Sequence, residues 1–146
     1  TVGNDGTLTE TLKRQVSDLG LHHVEFVGRV REDELPALFG KHGCYVSAAE
    51  TDGTSVTLLQ AMAMEVPVVV SDSPGNIAWL KNIPEPTGRL FALGDSRNLE
   101  LTLLEAVNFP EVTRNMVQHG REVVERYADW NQNIWRLDQL LASLLV

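Results

Sequence analysis

Asp52-Gly53-Thr54-Ser55-Val56-Thr57-Leu58-Leu59-Gln60-Ala61-Met62-Ala63-Met64-Glu65-Val66-Pro67-Val68-Val69-Val70-Ser71 is the stretch whose reading decides the fold. It reads as a polar turn, then a helix, then a buried strand. Gly53 reaches backbone angles closed to other residues, and Thr54 or Ser55 can cap a helix by accepting a backbone N–H bond. Pro67 breaks the helix and opens Val68-Val69-Val70, a β-branched run typical of a strand covered on both faces. The turn leaves N–H groups pointing outward where the helix dipole adds positive character, so Gly53 to Val56 is suited to hold phosphate or carboxylate. A loop feeding a helix N-terminus beside a buried strand is where open α/β sheets bind ligands.

Outward from this stretch the elements alternate. Thr7-Leu8-Thr9-Glu10 has capping-box spacing, and Leu8, Leu12, Val16 and Leu19 follow at helical period until Gly20. Strands are expected at Val24–Val27, Cys44–Ser47, Val66–Val70 and Arg89–Phe91, with a short helix from Glu34 to Lys41 and a helical turn near Asn76–Leu80. Glu32, Asp33 and Glu34 read as a solvated helix start, and Asn82 to Thr87 as loop. Ser96 is expected to cap a helix carrying Leu99, Leu103, Leu104 and Val107. Pro110 suits the first turn of the next helix, with Met116, Val117, Val123 and Val124. A last helix from Asp129 or Trp130 puts Ile134, Leu137, Leu141 and Leu144 on one stripe. Such alternation implies an α/β, Rossmann-like, doubly wound parallel sheet with helices on both faces.

The 146 residues fit a single domain, 1–146, large enough to bury a core. A formal net charge of -8 argues against nucleic acid or anionic membrane as a partner, since those need clustered Lys and Arg. A small phosphate-bearing ligand held by backbone dipoles remains compatible. Cys44 is the one cysteine, read as a buried free thiol in a reducing compartment. His22, His23, His42 and His119 lack metal-ligand spacing with Cys or acidic partners. With no leader and no apolar run long enough to span a bilayer, a soluble, cytoplasmic chain is expected. The opening Thr1-Val2-Gly3 reads as the end of a strand, without a methionine. A piece of a longer protein is therefore expected.

The spacing of the opening stretch resembles the retaining glycosyltransferases of the GT-B fold, a GT4-like group also known as glycosyl transferases group 1. Their pattern runs Ser-x-x-Glu-Gly-x-x-x-x-Leu-Leu-Glu-Ala-Met-Ala-x-Gly-x-Pro-Val-Val. Here Asp52 stands for the first glutamate, Gln60 for the second, and Glu65 for a usual glycine. Further matches follow in order. Val24-Glu25-Phe26-Val27-Gly28 and Glu34-Leu35-Pro36-Ala37-Leu38-Phe39 resemble a strand-plus-helix segment. Ser71 to Leu80 resembles a Gly-Gly-Asn-Arg-Glu-Trp-Ile turn in which Ile77 and Ala78 replace the Arg and Glu. Gly88-Arg89-Leu90-Phe91 through Gly94-Asp95, and Tyr127-Ala128-Asp129-Trp130, complete the series.

The resemblance implies the C-terminal, donor-binding domain of an enzyme that moves a sugar from a nucleotide diphosphate to an acceptor with retention. It gives Asp52 to the donor sugar as the catalytic-site acid and Gln60 to the ribose. Gly53, Thr54, Ser55 and Val56 fall to the phosphates, and Val30 and Arg31 border the nucleobase. No metal and no separate cofactor are implied. The acceptor, a glycan, lipid or small molecule, would be held by a missing N-terminal domain, which also places the Arg and Lys that neutralise the diphosphate outside this sequence. A peripheral place at the inner face of a membrane is compatible. The isolated chain is expected to bind donor weakly and to catalyse nothing.

Plainer readings stand beside these. Asp52-Gly53 and Thr54-Ser55 also serve as turn and cap, and Gln60 equally suits a backbone group. Met62, Met64 and Met116 read as core, and Trp79, Trp130 and Trp135 as packing anchors. The departures at Asp52, Gln60 and Ala78 keep open a second function, a glycosyltransferase-like binding or scaffolding subunit that has lost catalysis.

Overall fold

The structure, a computed structural model, describes residues 2–3, 6–81 and 83–144. The expectations for Thr1 and Asn82 lie outside them. The chain forms two compact units, Thr1–Leu38 and Phe39–Val146.

In the first unit β1 (Val2–Gly3) runs parallel to β2 (Phe26–Gly28), pairing Val2 with Phe26 and Gly3 with Gly28. Between them lies α1 (Thr9–Asp18). The expected capping box does not form. The helix starts a residue later than its spacing requires, with Leu8 as N-cap, and Thr9 Oγ1 accepts from the Gly6 N–H at 2.9 Å. The far end stops as expected: Gly20, at φ +63°, lets the Leu21 N–H reach the Val16 carbonyl at 3.0 Å. The strand expected at Val24–Val27 begins two residues later and ends one later, at Phe26–Gly28. Glu32–Glu34 forms one exposed 3-10 turn ahead of α2 (Leu35–Phe39), which stops short of the expected Lys41, and the His42 N–H closes on the Phe39 carbonyl.

The second unit holds β3 (Tyr45–Ser47), β4 (Val68–Ser71) and β5 (Arg89–Phe91) as a parallel sheet in that order. Tyr45 lies opposite Val68, and Val69 opposite Arg89. All four β4 residues are buried, so the central strand is covered on both faces, as its unbroken apolar run requires. The crossover helices are α3 (Val56–Ala63) and α4 (Pro74–Leu80), giving the Rossmann-like α/β arrangement.

Then come α5 (Ser96–Asn108), α6 (Pro110–Tyr127) and α7 (Trp130–Leu144). The α5 cap is Asp95 rather than Ser96; its Oδ1 accepts from the Asn98 N–H at 2.8 Å, and Ser96 becomes the first residue of the helix. Pro110 opens α6 as expected.

The core gathers around α3, whose Leu58, Ala61 and Met62 are buried. α6 packs on it at Gly120, where an added Cβ would lie 3.2 Å from the Thr87 carbonyl and 3.6 Å from Met62 Cε. Arg121 donates across the same interface to the Ala63 carbonyl. α3 ends in a left-handed residue that is not glycine: Glu65 has φ 56°, so the Val66 N–H reaches the Ala61 carbonyl at 3.0 Å. A side chain in that region costs about 1 kcal/mol.

Several apolar residues expected to pack do not. Met64, Trp130 and Trp135 are exposed, as are Leu104 and Val107 on α5 and Ile134, Leu137, Leu141 and Leu144 on α7. Helical period identifies an apolar face, but burying it takes a neighbour. Among the described residues of this unit no element covers α7, and none of its side chains is buried. Trp79 is half-buried, its carbonyl accepting from Thr87 Oγ1 at 2.9 Å.

Candidate functional site

Residues 48–55 leave β3 at its carboxyl end and run into α3. Ser55 is the N-cap, in extended conformation, and its Oγ accepts from the Leu58 N–H at 3.3 Å. Among the described residues, no backbone N–H from Gly53 to Thr57 donates to a protein group. Five consecutive donors thus sit together at the positive end of the α3 dipole. Such an arrangement favours an anion bearing several oxygens, phosphate above all. Gly53, Thr54 and Val56 are exposed; Asp52 and Ser55 are half-buried. The Ser55 hydroxyl, taken as an acceptor by the cap, still has its proton to donate. Thr54 Oγ1 is uncommitted among the described residues.

The loop rests on the next βα turn. The Ser71 hydroxyl donates to the Ala49 carbonyl at 2.6 Å, and Asn76 Nδ2 donates to the Ser71 carbonyl at 2.9 Å. Ser71 and Asn76 are both buried. Gly75, in the first turn of α4, lies against the Asp52 and Gly53 carbonyl oxygens so closely that a Cβ there would overlap both. Those carbonyls face α4. The third βα turn joins on: Asp72 Oδ1 accepts from the Leu93 N–H at 2.9 Å, and Asn98 Oδ1 from the Ala92 N–H at 2.7 Å. Beside these, Ser73 Oγ is buried without a hydrogen-bond partner among the described residues. An unmet buried hydroxyl costs about 1–3 kcal/mol.

Asp52, Gly53, Thr54, Ser55, Val56 and Gln60 therefore share one loop and the helix it feeds. Gln60 follows Val56 by one turn, is half-buried and already has a partner. Val30 and Arg31 belong to the first unit. There Arg31 Nε and Nη2 grip Asp33 at 2.9 and 2.5 Å, and the Arg31 N–H donates to Glu34 at 3.0 Å. Its guanidinium is thus engaged by its own turn. Sequence alone marks Ser71, Gly75 and Asn76 only as part of a matching turn. The signal for their role lies in Pro74-Gly75-Asn76, where a glycine in a helix's first turn and an amide beside an apolar strand both invite a tertiary reason.

The remaining candidates lie elsewhere. Cys44 is half-buried just before β3, and its burial pushes the thiol pKa up, with Arg89 pulling less strongly the other way. That makes it a poor nucleophile. His119 pairs with Glu85 at 2.9 Å. Among the described residues no group of three His, Cys, Asp or Glu could hold a metal, and no helix is long and apolar enough to cross a membrane.

The chain is similar to several known proteins. It is 27% identical over 144 residues to glycosyltransferase 1 domain-containing protein 1 of Xenopus tropicalis, covering 97% of this chain and 39% of that protein. An uncharacterised glycosyltransferase of Methanocaldococcus jannaschii is 23% identical over 140 residues, covering 96% and 39%. The chain thus spans about two fifths of the relatives it matches. Among solved structures, sucrose-phosphate synthase from Thermosynechococcus elongatus superposes with a TM-score of 0.86 at 24% identity, over 98% of this chain and 37% of that one. Anabaena HepE in complex with UDP gives 0.85 at 20%, over 97% and 40%. These likenesses show the fold, that of GT-B glycosyltransferases. The family model described as glycosyl transferases group 1 matches residues 1–123, and the chain belongs to that family.

Proposed function

We propose that this chain is the donor-binding, C-terminal domain of a retaining glycosyltransferase that moves a sugar from a nucleotide diphosphate to an acceptor held elsewhere in a longer protein. One observation carries the reading: five uncommitted amides stand in a row where the Asp52 loop enters α3. As the bond from the anomeric carbon to the diphosphate breaks, negative charge grows on the departing phosphate. Amides already aimed at that charge, with the helix dipole behind them, stabilise it without a metal or a further cofactor. Asp52 would accept from a donor-sugar hydroxyl. Gln60 would serve the ribose with a neutral amide, which gives up about 1 kcal/mol against a carboxylate. Because Gln60 already has a partner, the ribose would share or displace it, and an amide with two donors and an acceptor permits sharing. Anabaena HepE, of the same fold, is described in complex with UDP, which supports the ligand class. The reading brings with it glycan biosynthesis in the cytoplasm.

Calorimetric titration of the full-length protein with UDP, GDP, ADP and the matching nucleosides tests this. At least one diphosphate should bind far more tightly than its nucleoside, and adding its sugar and an acceptor should give turnover. A nucleoside binding as well as its diphosphate would overturn the seat. A second reading, a binding or scaffolding subunit, is favoured by α4, where exposed Ala78 stands in place of an acid. Tight donor binding by the full-length protein without turnover on any acceptor would select it.

A further inference from the structure

Among the described residues, one hydrogen bond joins residues 49–55 to another element, from the Ser71 hydroxyl to the Ala49 carbonyl at 2.6 Å. The loop's remaining hydrogen bonds there run to its own helix. The Ser71 side chain is fully buried at the end of β4, and Asn76 Nδ2 lies 2.9 Å from its carbonyl and 3.5 Å from its hydroxyl. The Asn76 amide therefore holds the strand end that holds the loop. Farther along, the loop is stopped by Gly75 against the Asp52 and Gly53 carbonyls. It is pulled at one point and blocked at another, three residues apart.

We infer that Ser71 and Asn76 are positioning residues, a buried tether from β4 and α4 that sets where the α3 amides point. Neither side chain has to touch a ligand for this. Amide donors are useful only within narrow limits of distance and angle, so a loop free to drift by an ångström loses several bonds together. For its ligand the inference rests on the donor reading above; for the tether itself it does not.

The experiment uses the full-length protein as wild type, Ser71→Ala, Ser71→Thr, Asn76→Ala and, as a control core lesion on α6, Val124→Ala. Two quantities are read. The first is amide exchange at Leu58 and Leu59, the N–H groups bonded to Ser55 at the loop's end. It should quicken in Ser71→Ala and Asn76→Ala beyond any change in α6, but not in Val124→Ala. The second is the ratio of affinities for a diphosphate and its nucleoside, using whichever of UDP, GDP and ADP wild type binds best, which should fall about tenfold in those two variants and recover in Ser71→Thr, which keeps the hydroxyl. Exchange that stays at the wild-type rate, or rises evenly through the unit as in Val124→Ala, overturns the tether. If wild type prefers none of UDP, GDP and ADP to its nucleoside, the donor reading falls and exchange alone decides the tether. Should Ser71→Ala fail to fold, Asn76→Ala decides the question in the same way, one bond farther back.

Discussion

Gly75→Ala sets two effects of opposite sign against each other. Gly75 lies within α4, where helix propensity alone favours alanine by about 1 kcal/mol. Tertiary contact opposes it. The new methyl would overlap the Asp52 and Gly53 carbonyl oxygens and lie 3.0 Å from the Gly53 carbonyl carbon, when non-bonded carbon pairs settle near ~3.5–4.0 Å. These are backbone atoms, so no side chain can swing away; either the loop lifts or α4 retreats from the buried end of β4. Overpacking of this kind costs about 3 kcal/mol. The net expectation is a loss of about 2 kcal/mol, read in urea as a midpoint lower by about 1 M with an unchanged slope. Nucleotide titration should show weaker diphosphate binding as well, because the atoms displaced are those that aim the amides. A variant as stable as wild type, or more so, with undiminished affinity would refute the claim that α4 sets the loop.

Four further outcomes are expected. Glu65→Gly should stabilise the protein by about 0.5–1 kcal/mol in chemical denaturation, since glycine enters the left-handed region freely. Ser55→Ala should cost about 1 kcal/mol through the lost cap to Leu58. Ser73→Ala, which removes a buried hydroxyl without a partner among the described residues, should be neutral or stabilising in the same assay, and a clear loss would reveal an interaction not accounted for. For Cys44, the folded thiol pKa is raised, so its contribution to stability is complete below the ordinary thiol value of about 8.5 and lost as pH climbs through the folded value. Cys44→Ala should remove that alkaline decline, followed as denaturation midpoint against pH.

The fold was legible because its signals were local and unambiguous. Val68-Val69-Val70 is strand on composition alone, Pro67 and Gly20 are stops, and Pro110 marks a helix start. Boundaries failed where a neighbouring residue competed for one job: Asp95 outreached Ser96 as a cap, and Leu8 took the N-cap position that Thr7 suits by residue type. Periodicity marked the apolar stripe of α7 but carried no information about whether anything lies on it. The amide row was readable from Asp52-Gly53-Thr54-Ser55 because cap and dipole act within a few residues, although Gly53 does not use the left-handed backbone region that its residue type suggests. Its support was not, because Ser71 and Asn76 act across 22 and 5 residues of sequence through bonds that no spacing rule encodes.

The carboxyl ends of the three central strands are laced to one another: Ser71 to Ala49 between the first two turns, and Asp72 to Leu93 between the second and third. Anyone hoping to graft a new specificity by swapping a single loop would cut one of these links and leave its partner dangling. The three turns have to be transplanted as one cassette, together with Asn76 and Gly75 beneath them.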